Sequence, residues 1–221
     1  MTALDLSLLL VTDARLCGER GVAAVVAEAV AGGVTAVQVR EKHADDRAVL
    51  ALVEQVAEAI DGRALLTVND RLDVAVKARE RGIRIDGVHL GQNDPSATRA
   101  RTELGPDAVV GLTANRPEHF AAVSALPPGT VDYFGVGVIR PTATKPDHPE
   151  PLGIAGFAAL AGASPLPCVA IGGITASDAR ALRDAGAAGI AVVSAICAAS
   201  DPRTAAAGFV RAWSGAEAVR R

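Results

Sequence analysis

Cysteine is scarce in this 221-residue chain: Cys17, Cys168 and Cys197 are far apart, odd in number and unpaired in spacing. That argues against a disulfide framework and against a zinc site, and it suits a reducing compartment. An excess of positive charge is lacking as well. The net charge is −3, with no basic block, so nucleic acid is not an expected partner, and a bound phosphate would have to meet local cations rather than a global field. No apolar run approaches the ~20 residues needed to span a bilayer. The opening Met1-Thr2-Ala3-Leu4-Asp5 has no basic flank of a signal peptide, and the expectation is a cytoplasmic protein that does not engage a membrane. A Gly-x-Gly-x-x-Gly turn after the first strand is also missing. So is any Ser–His–Asp or Cys–His grouping at the strand ends, which leaves covalent hydrolase chemistry unsupported.

What is present is an alternation. Half of the residues are apolar and 21% are charged, a globular balance with ample core. Apolar runs at 6–12, 34–39, 65–68, 87–90, 108–112, 133–138, 168–171 and 189–193 predict strands buried on both faces. Helical spacing or composition fills 21–31, 45–60, 71–81, 96–104, 117–125, 154–161, 177–185 and 202–213 between and after them. The helix over 45–60 opens at Asp45-Asp46, carries Val49, Leu50, Val53, Val56 and Ala57 on one face, and stops at Asp61-Gly62. Strict β/α alternation predicts a parallel sheet, and eight units in this length fit a compact single-domain (β/α)8 barrel. A doubly wound open sheet is the alternative. No linker divides the chain, so one domain over 1–221 is expected, with 214–221 a fraying tail. Prolines at 146, 149 and 151 make that stretch a loop.

In such a barrel the strand exits share one face, and they can be read as a site. They carry Arg40 and Lys42, Asn69 and Asp70, Asp94, Thr113, Thr142 with Thr144 and Lys145, Gly172-Gly173, and Ser194. Two carboxylates, three cations, small hydroxyls and backbone amides are what a Mg²⁺-bound pyrophosphate and a second phosphate require. Each has a plainer reading. Asp70 could cap the helix that follows it, and Asp94 could sit in a solvated turn. Arg40-Glu41-Lys42 could be a surface charge run, and Gly172-Gly173 a tight turn. His89, inside a strand run, reads as a core histidine or a support to the site.

At these residues the chain resembles the thiamine-phosphate synthase family over nearly its whole length. The matching blocks are Gln38-Val39-Arg40-Glu41-Lys42, Val68-Asn69-Asp70-Arg71, Val88-His89-Leu90-Gly91-Gln92-Asn93-Asp94, and Asp132-Tyr133-Phe134-Gly135-Val136-Gly137. Pro141-Thr142-Ala143-Thr144-Lys145, Ala170-Ile171-Gly172-Gly173-Ile174 and Val192-Val193-Ser194 follow in order. The resemblance implies condensation of hydroxymethylpyrimidine pyrophosphate with hydroxyethylthiazole phosphate, releasing pyrophosphate by a Mg²⁺-assisted dissociative route. It implies that Asp70 and Asp94 hold the metal. Gln38, Val39, Arg40, Glu41, Lys42, Asn69, Thr113 and Lys145 would hold the pyrimidine pyrophosphate, with Arg40, Lys42 and Lys145 stabilising the leaving group. Thr142, Ala143, Thr144, Gly173, Val193 and Ser194 would hold the thiazole phosphate. Two places depart from the family pattern. Thr113-Ala114-Asn115 stands for a serine followed by a His-containing turn, and Val138 and Arg140 stand for a proline and an aromatic residue. A thiazole-phosphate tautomerase-like enzyme and a non-catalytic phosphate-ligand sensor of thiamine metabolism are the other functions open to the chain. Homo-oligomerisation is left open.

Overall fold

The computed structural model describes residues 4–144 and 150–215. Eight strands run in chain order: β1 (Leu8–Val11), β2 (Ala36–Val39), β3 (Leu65–Asn69), β4 (Gly87–Leu90), β5 (Val109–Thr113), β6 (Tyr133–Gly137), β7 (Cys168–Ile171) and β8 (Gly189–Val192). Each pairs in parallel with the next, and β1 pairs with β8 through Leu8↔Ile190 to Leu10↔Val192, which closes the barrel. The expected (β/α)8 architecture is therefore the observed one, and the open sheet is excluded.

Strand periodicity divides the apolar residues between two cores. One set of side chains points outward and packs under the helices, among them Leu10, Val37, Val39, Val68, Val88, Val110, Phe134 and Ile190. The alternate set fills the barrel interior, with Leu9, Val11, Ala36, Tyr133, Val169 and Ala191. Continuous apolar strands thus bury both faces, as a parallel sheet wrapped in helices requires.

The helix Asp46–Ile60 shows how sequence sets local structure. The Asp45 carboxylate accepts the Ala48 N–H at 2.8 Å, while Val49, Leu50, Val53, Val56 and Ile60 bury one face. Its end comes at Asp61, whose φ of 48° is left-handed. Two short helices fall outside the sequence expectation, Ala14–Cys17 after β1 and Ser194–Cys197 after β8. Four residues carry no readable period. The second begins at Ser194 itself, directly at the β8 exit. The last helix, Pro202–Ser214, ends at Gly215 in a left-handed conformation; the expected fraying beyond it lies outside the described residues, as does most of the proline-marked loop.

The interior keeps room for polar side chains by omitting others. A Cβ on Gly111 would lie 2.3 Å from Tyr133 Cζ and 2.5 Å from His89 Nδ1, and one on Gly135 would lie 2.9 Å from His89 Cε1. Both glycines therefore make space for the His89 and Tyr133 rings inside the barrel. Gly111→Ala overpacks this centre and should destabilise the fold by about 1–3 kcal/mol. In thermal unfolding that is a melting temperature about 3–10 °C below the wild type.

Candidate active site

One cavity of about 520 Å³ opens at the face where the strands end, a volume in the range of small-molecule sites. Its wall includes Gln38, Arg40, Lys42, Asn69, Asp70, Asp94, Thr113, Thr142, Thr144, Gly173, Val193 and Ser194. These residues come from seven different strand exits and are brought together only by barrel closure. Val39, Glu41 and Ala143 are not on the wall. Val39 is fully buried under the helix layer, because strand alternation turns it away from its neighbours Gln38 and Arg40. The Glu41 carboxylate accepts the His43 N–H at 3.2 Å, and Ala143 is exposed. Lys145 lies outside the described residues.

Asp70 does not cap the helix that follows it. It adopts a left-handed φ of 63°, and the helix Leu72–Glu80 starts from Arg71 without a side-chain capping bond. Asp94 stands in the turn after β4, its Oδ2 accepting the Gly91 N–H at 2.6 Å. Burial pushes the Asp70 carboxyl up to about 6, reinforced by hydrogen bonding and charge from Asp94 and opposed by Asn69 and Arg40. The two carboxyls are thus direct neighbours. Among the described residues no group of three or more His, Cys, Asp or Glu comes together. A protein-only metal cage is therefore not built there, and two carboxylates leave most of a coordination shell to phosphate oxygens and water. That donor set fits Mg²⁺, which rarely takes more than one or two carboxylates from the protein.

The cations divide by task. Arg40 and Lys42 line the cavity; Arg40 is steadied by its backbone N–H to Thr12 Oγ1 at 3.0 Å and by a long contact from its guanidinium to the Thr144 carbonyl at 3.4 Å. Arg71 has turned its back on the cavity. Its guanidinium donates to Asp46 Oδ1 at 2.7 Å, to the Ala44 carbonyl at 2.7 Å and to the Glu41 carbonyl at 3.3 Å. It pins the loop that carries Lys42.

A polar chain crosses the barrel interior below the cavity. His89 Nδ1 is 3.0 Å from the Tyr133 hydroxyl, and His89 Nε2 is 3.1 Å from Thr113 Oγ1. Gln92 Nε2 donates to the Thr113 carbonyl at 2.6 Å. Tyr133 is held well above the usual phenol range by burial, so its neutral hydroxyl stays in the chain. Thr113 is accordingly fixed at both its hydroxyl and its carbonyl. His89 both supports the site and lines the cavity, and the signal for it was its place in an otherwise apolar strand. The sequence assigns no role to Gln92, Asn93, Arg116 or His119, yet all four line the cavity, and His119 Nδ1 accepts the Asn115 N–H at 3.3 Å. Polar residues in turns, as Gln92, Asn93 and Arg116 are, carry no periodicity that would have marked them.

Fold and cavity together define a (β/α)8-barrel enzyme of the kind that works at the C-terminal ends of its strands. A family model described as thiamine monophosphate synthase matches residues 8–196. The chain is 47% identical over 201 residues to a thiamine-phosphate synthase of Psychrobacter sp. (strain PRwf-1), with 91% of this chain and 92% of the relative covered. A thiamine-phosphate synthase of Azorhizobium caulinodans is also 47% identical, over 203 residues, with 91% and 92% covered. Among solved structures, a thiamine phosphate pyrophosphorylase from Pyrococcus furiosus aligns at TM-score 0.81 and 31% identity over 96% of both chains. The chain belongs to the thiamine monophosphate synthase family.

The Asp70 carboxyl binds its proton more tightly in the folded than in the unfolded chain. Its favourable contribution is complete below the ordinary value of 3.8 and is lost as pH rises through about 6. Asp70→Asn, whose amide tolerates the left-handed backbone, should therefore stabilise the metal-free protein at pH 7 by about 1–2 kcal/mol after solvent screening. Thermal melts should show a gain of about 2–6 °C at pH 7 that disappears by about pH 4.

Proposed function

We propose that the chain is a Mg²⁺-dependent thiamine-phosphate synthase acting in the cytoplasm, and that the cavity at the strand exits is its active site. Hydroxymethylpyrimidine pyrophosphate and hydroxyethylthiazole phosphate are the substrates; thiamine phosphate and pyrophosphate are the products. The observation that carries the site assignment is the Asp70–Asp94 pair, with Arg40 near enough to oppose its repulsion. Two adjacent carboxylates that resist joint ionisation are suited to receive a divalent cation. Family membership carries the reaction. The three cysteines are free and buried, in keeping with a reducing compartment.

In this reading the pyrimidine pyrophosphate lies along the exits of β2 and β3, with its phosphates toward Arg40, Lys42 and Lys145 and its ring toward Gln38, Asn69 and Thr113. Val39 and Glu41, from the same block, stand off that wall. The thiazole phosphate lies at the exits of β6, β7 and β8, against Thr142, Ala143, Thr144, Gly173, Val193 and Ser194. The C–O bond to pyrophosphate breaks, and both bonding electrons leave with the oxygen. The thiazole nitrogen then donates its lone pair to the resulting pyrimidinylmethyl cation. No protein nucleophile is needed. Mg²⁺ held by Asp70 and Asp94 offsets the negative charge of the pyrophosphate when bound. The chain's own cations stabilise the departing charge, and the His89–Thr113 bond keeps a hydroxyl fixed beside the ring.

A coupled assay for pyrophosphate release tests this directly. Release should require both substrates and be abolished by EDTA. Arg40→Ala should lower kcat/KM by about 10²–10³, the typical cost of one preorganised charge contact. Lys145→Ala should do the same. Release that needs only one substrate, or persists in EDTA, would contradict the reading; unchanged rates in both variants would sink the placement of the leaving group.

A further inference from the structure

Arg140 is a cation beside the cavity that the catalytic reading does not use. It leaves β6 beside Thr142 and Thr144, yet it is absent from the cavity wall. Its guanidinium forms a fork on Asp178 instead, with Nη2 2.5 Å from Oδ1 and Nε 3.3 Å from Oδ2. Asp178 is only 4% exposed, and its Oδ2 also accepts the Thr175 N–H at 3.0 Å and the Thr175 hydroxyl at 2.7 Å. A carboxylate this buried needs a partner, and a two-point guanidinium contact also sets direction. Burial alone would raise the Asp178 carboxyl, but Arg140 and Thr175 hold it below the usual carboxylate range.

The two ends of this pair belong to different walls of one subsite. Arg140 precedes Pro141-Thr142-Ala143-Thr144, and Asp178 is reached through Thr175 from the Gly172-Gly173 turn. The walls also meet through their backbones, the Ile139 N–H donating to the Ile171 carbonyl and the Arg140 N–H to the Gly172 carbonyl, both at 3.0 Å. Gly173 packs directly on this segment: a Cβ there would lie 2.8 Å from Arg140 Cβ and 2.9 Å from the Arg140 and Pro141 carbonyl oxygens. At a φ of 67° and with that contact, only glycine fits.

We propose that Arg140 and Asp178 are positioning residues that fix the distance between the Thr142–Thr144 wall and the Gly172-Gly173 turn, and so tune affinity for the phosphate-bearing thiazole substrate without touching it. The proposal rests on the placement of the thiazole phosphate at this end of the cavity. Arg140→Gln leaves Asp178 charged and buried without its cation. Asp178→Asn removes the charge but keeps an oxygen for Thr175. The double variant restores a neutral amide pair.

Steady-state kinetics with both substrates varied, on full-length variants checked for folding by thermal melts, gives the test. Arg140→Gln should raise KM for the thiazole phosphate by about tenfold, the size of a typical coupling between contacting groups. KM for the pyrimidine pyrophosphate and kcat should stay within about threefold. The double variant should return KM for the thiazole phosphate to within about threefold of wild type, because the stranded charge is gone. A wild-type KM in Arg140→Gln, equal rises for both substrates, or additive effects in the double variant would overturn the proposal. If Arg140→Gln does not fold, Asp178→Asn is read by the same KM split. A wild type that turns over no substrate pair would refute the functional reading instead. Calorimetric titration with the thiazole phosphate then decides the brace: weaker binding by Arg140→Gln upholds it, and equal binding or none by wild type overturns it.

Discussion

Pairing of the first strand with the last is the constraint on which the rest of this structure depends. The Leu8↔Ile190, Leu9↔Ala191 and Leu10↔Val192 register joins β1 to β8 and removes every exposed sheet edge. Closure forces all eight strand exits onto one rim, so groups as distant in sequence as Arg40 and Ser194 line the same cavity. It also makes the interior a confined space in which each strand's alternate residues must fit. Gly111 and Gly135 yield their side-chain volume to His89 and Tyr133, and the polar chain that results holds Thr113 in place at the floor of the cavity.

Electrostatics at the rim work against stability and toward binding. Asp70 and Asp94 are held together by backbone geometry, the left-handed Asp70 on one side and the Gly91 N–H bond to Asp94 on the other. Their repulsion is relieved by a proton on Asp70 below about pH 6 and, in the proposed reaction, by a divalent cation. Strain of this sort at a site is maintained by the packed scaffold around it. The arginines that do not face the cavity supply part of that scaffold. Arg71 ties the β2 exit loop through three carbonyl and carboxylate contacts, and Arg140 ties the β6 exit to the β7 exit through Asp178. Exposed ion pairs contribute little to stability; here their value lies in geometry, since each joins two loops that present groups to the cavity.

Fold class and most of the candidate wall are legible in the sequence, for reasons that differ. Apolar runs of strand length separated by amphipathic segments have one economical parallel solution, so the barrel followed from periodicity and count. The strand exits followed from the barrel, which is why Arg40, Asp70, Asp94, Thr113, Gly173 and Ser194 could be named together. Val39 and Glu41 could not be separated from their neighbours in the Gln38–Lys42 block by resemblance alone. A contiguous motif does not say which residues point inward, although strand alternation does once β2 is located. Gln92 and Arg116 were given no role because turn residues follow no period, and His119 because one polar residue in the short helix Pro117–Ser124 does not mark a site.

By itself the sequence determined the alternation of strands and helices, the chemical inventory at the strand ends and the family. These depend on local spacing and residue type, which the chain carries whatever its neighbours do. Only the tertiary structure decided that Asp70 turns its carboxyl to Asp94 rather than to a helix N-terminus, that His89 joins Tyr133 to Thr113, and that Arg140 is spent on Asp178 rather than on the cavity. Each of those outcomes is a choice of partner among groups 24 to 44 residues apart or a backbone angle that permits it. Such choices are settled by packing and by the cost of burying an unpaired charge.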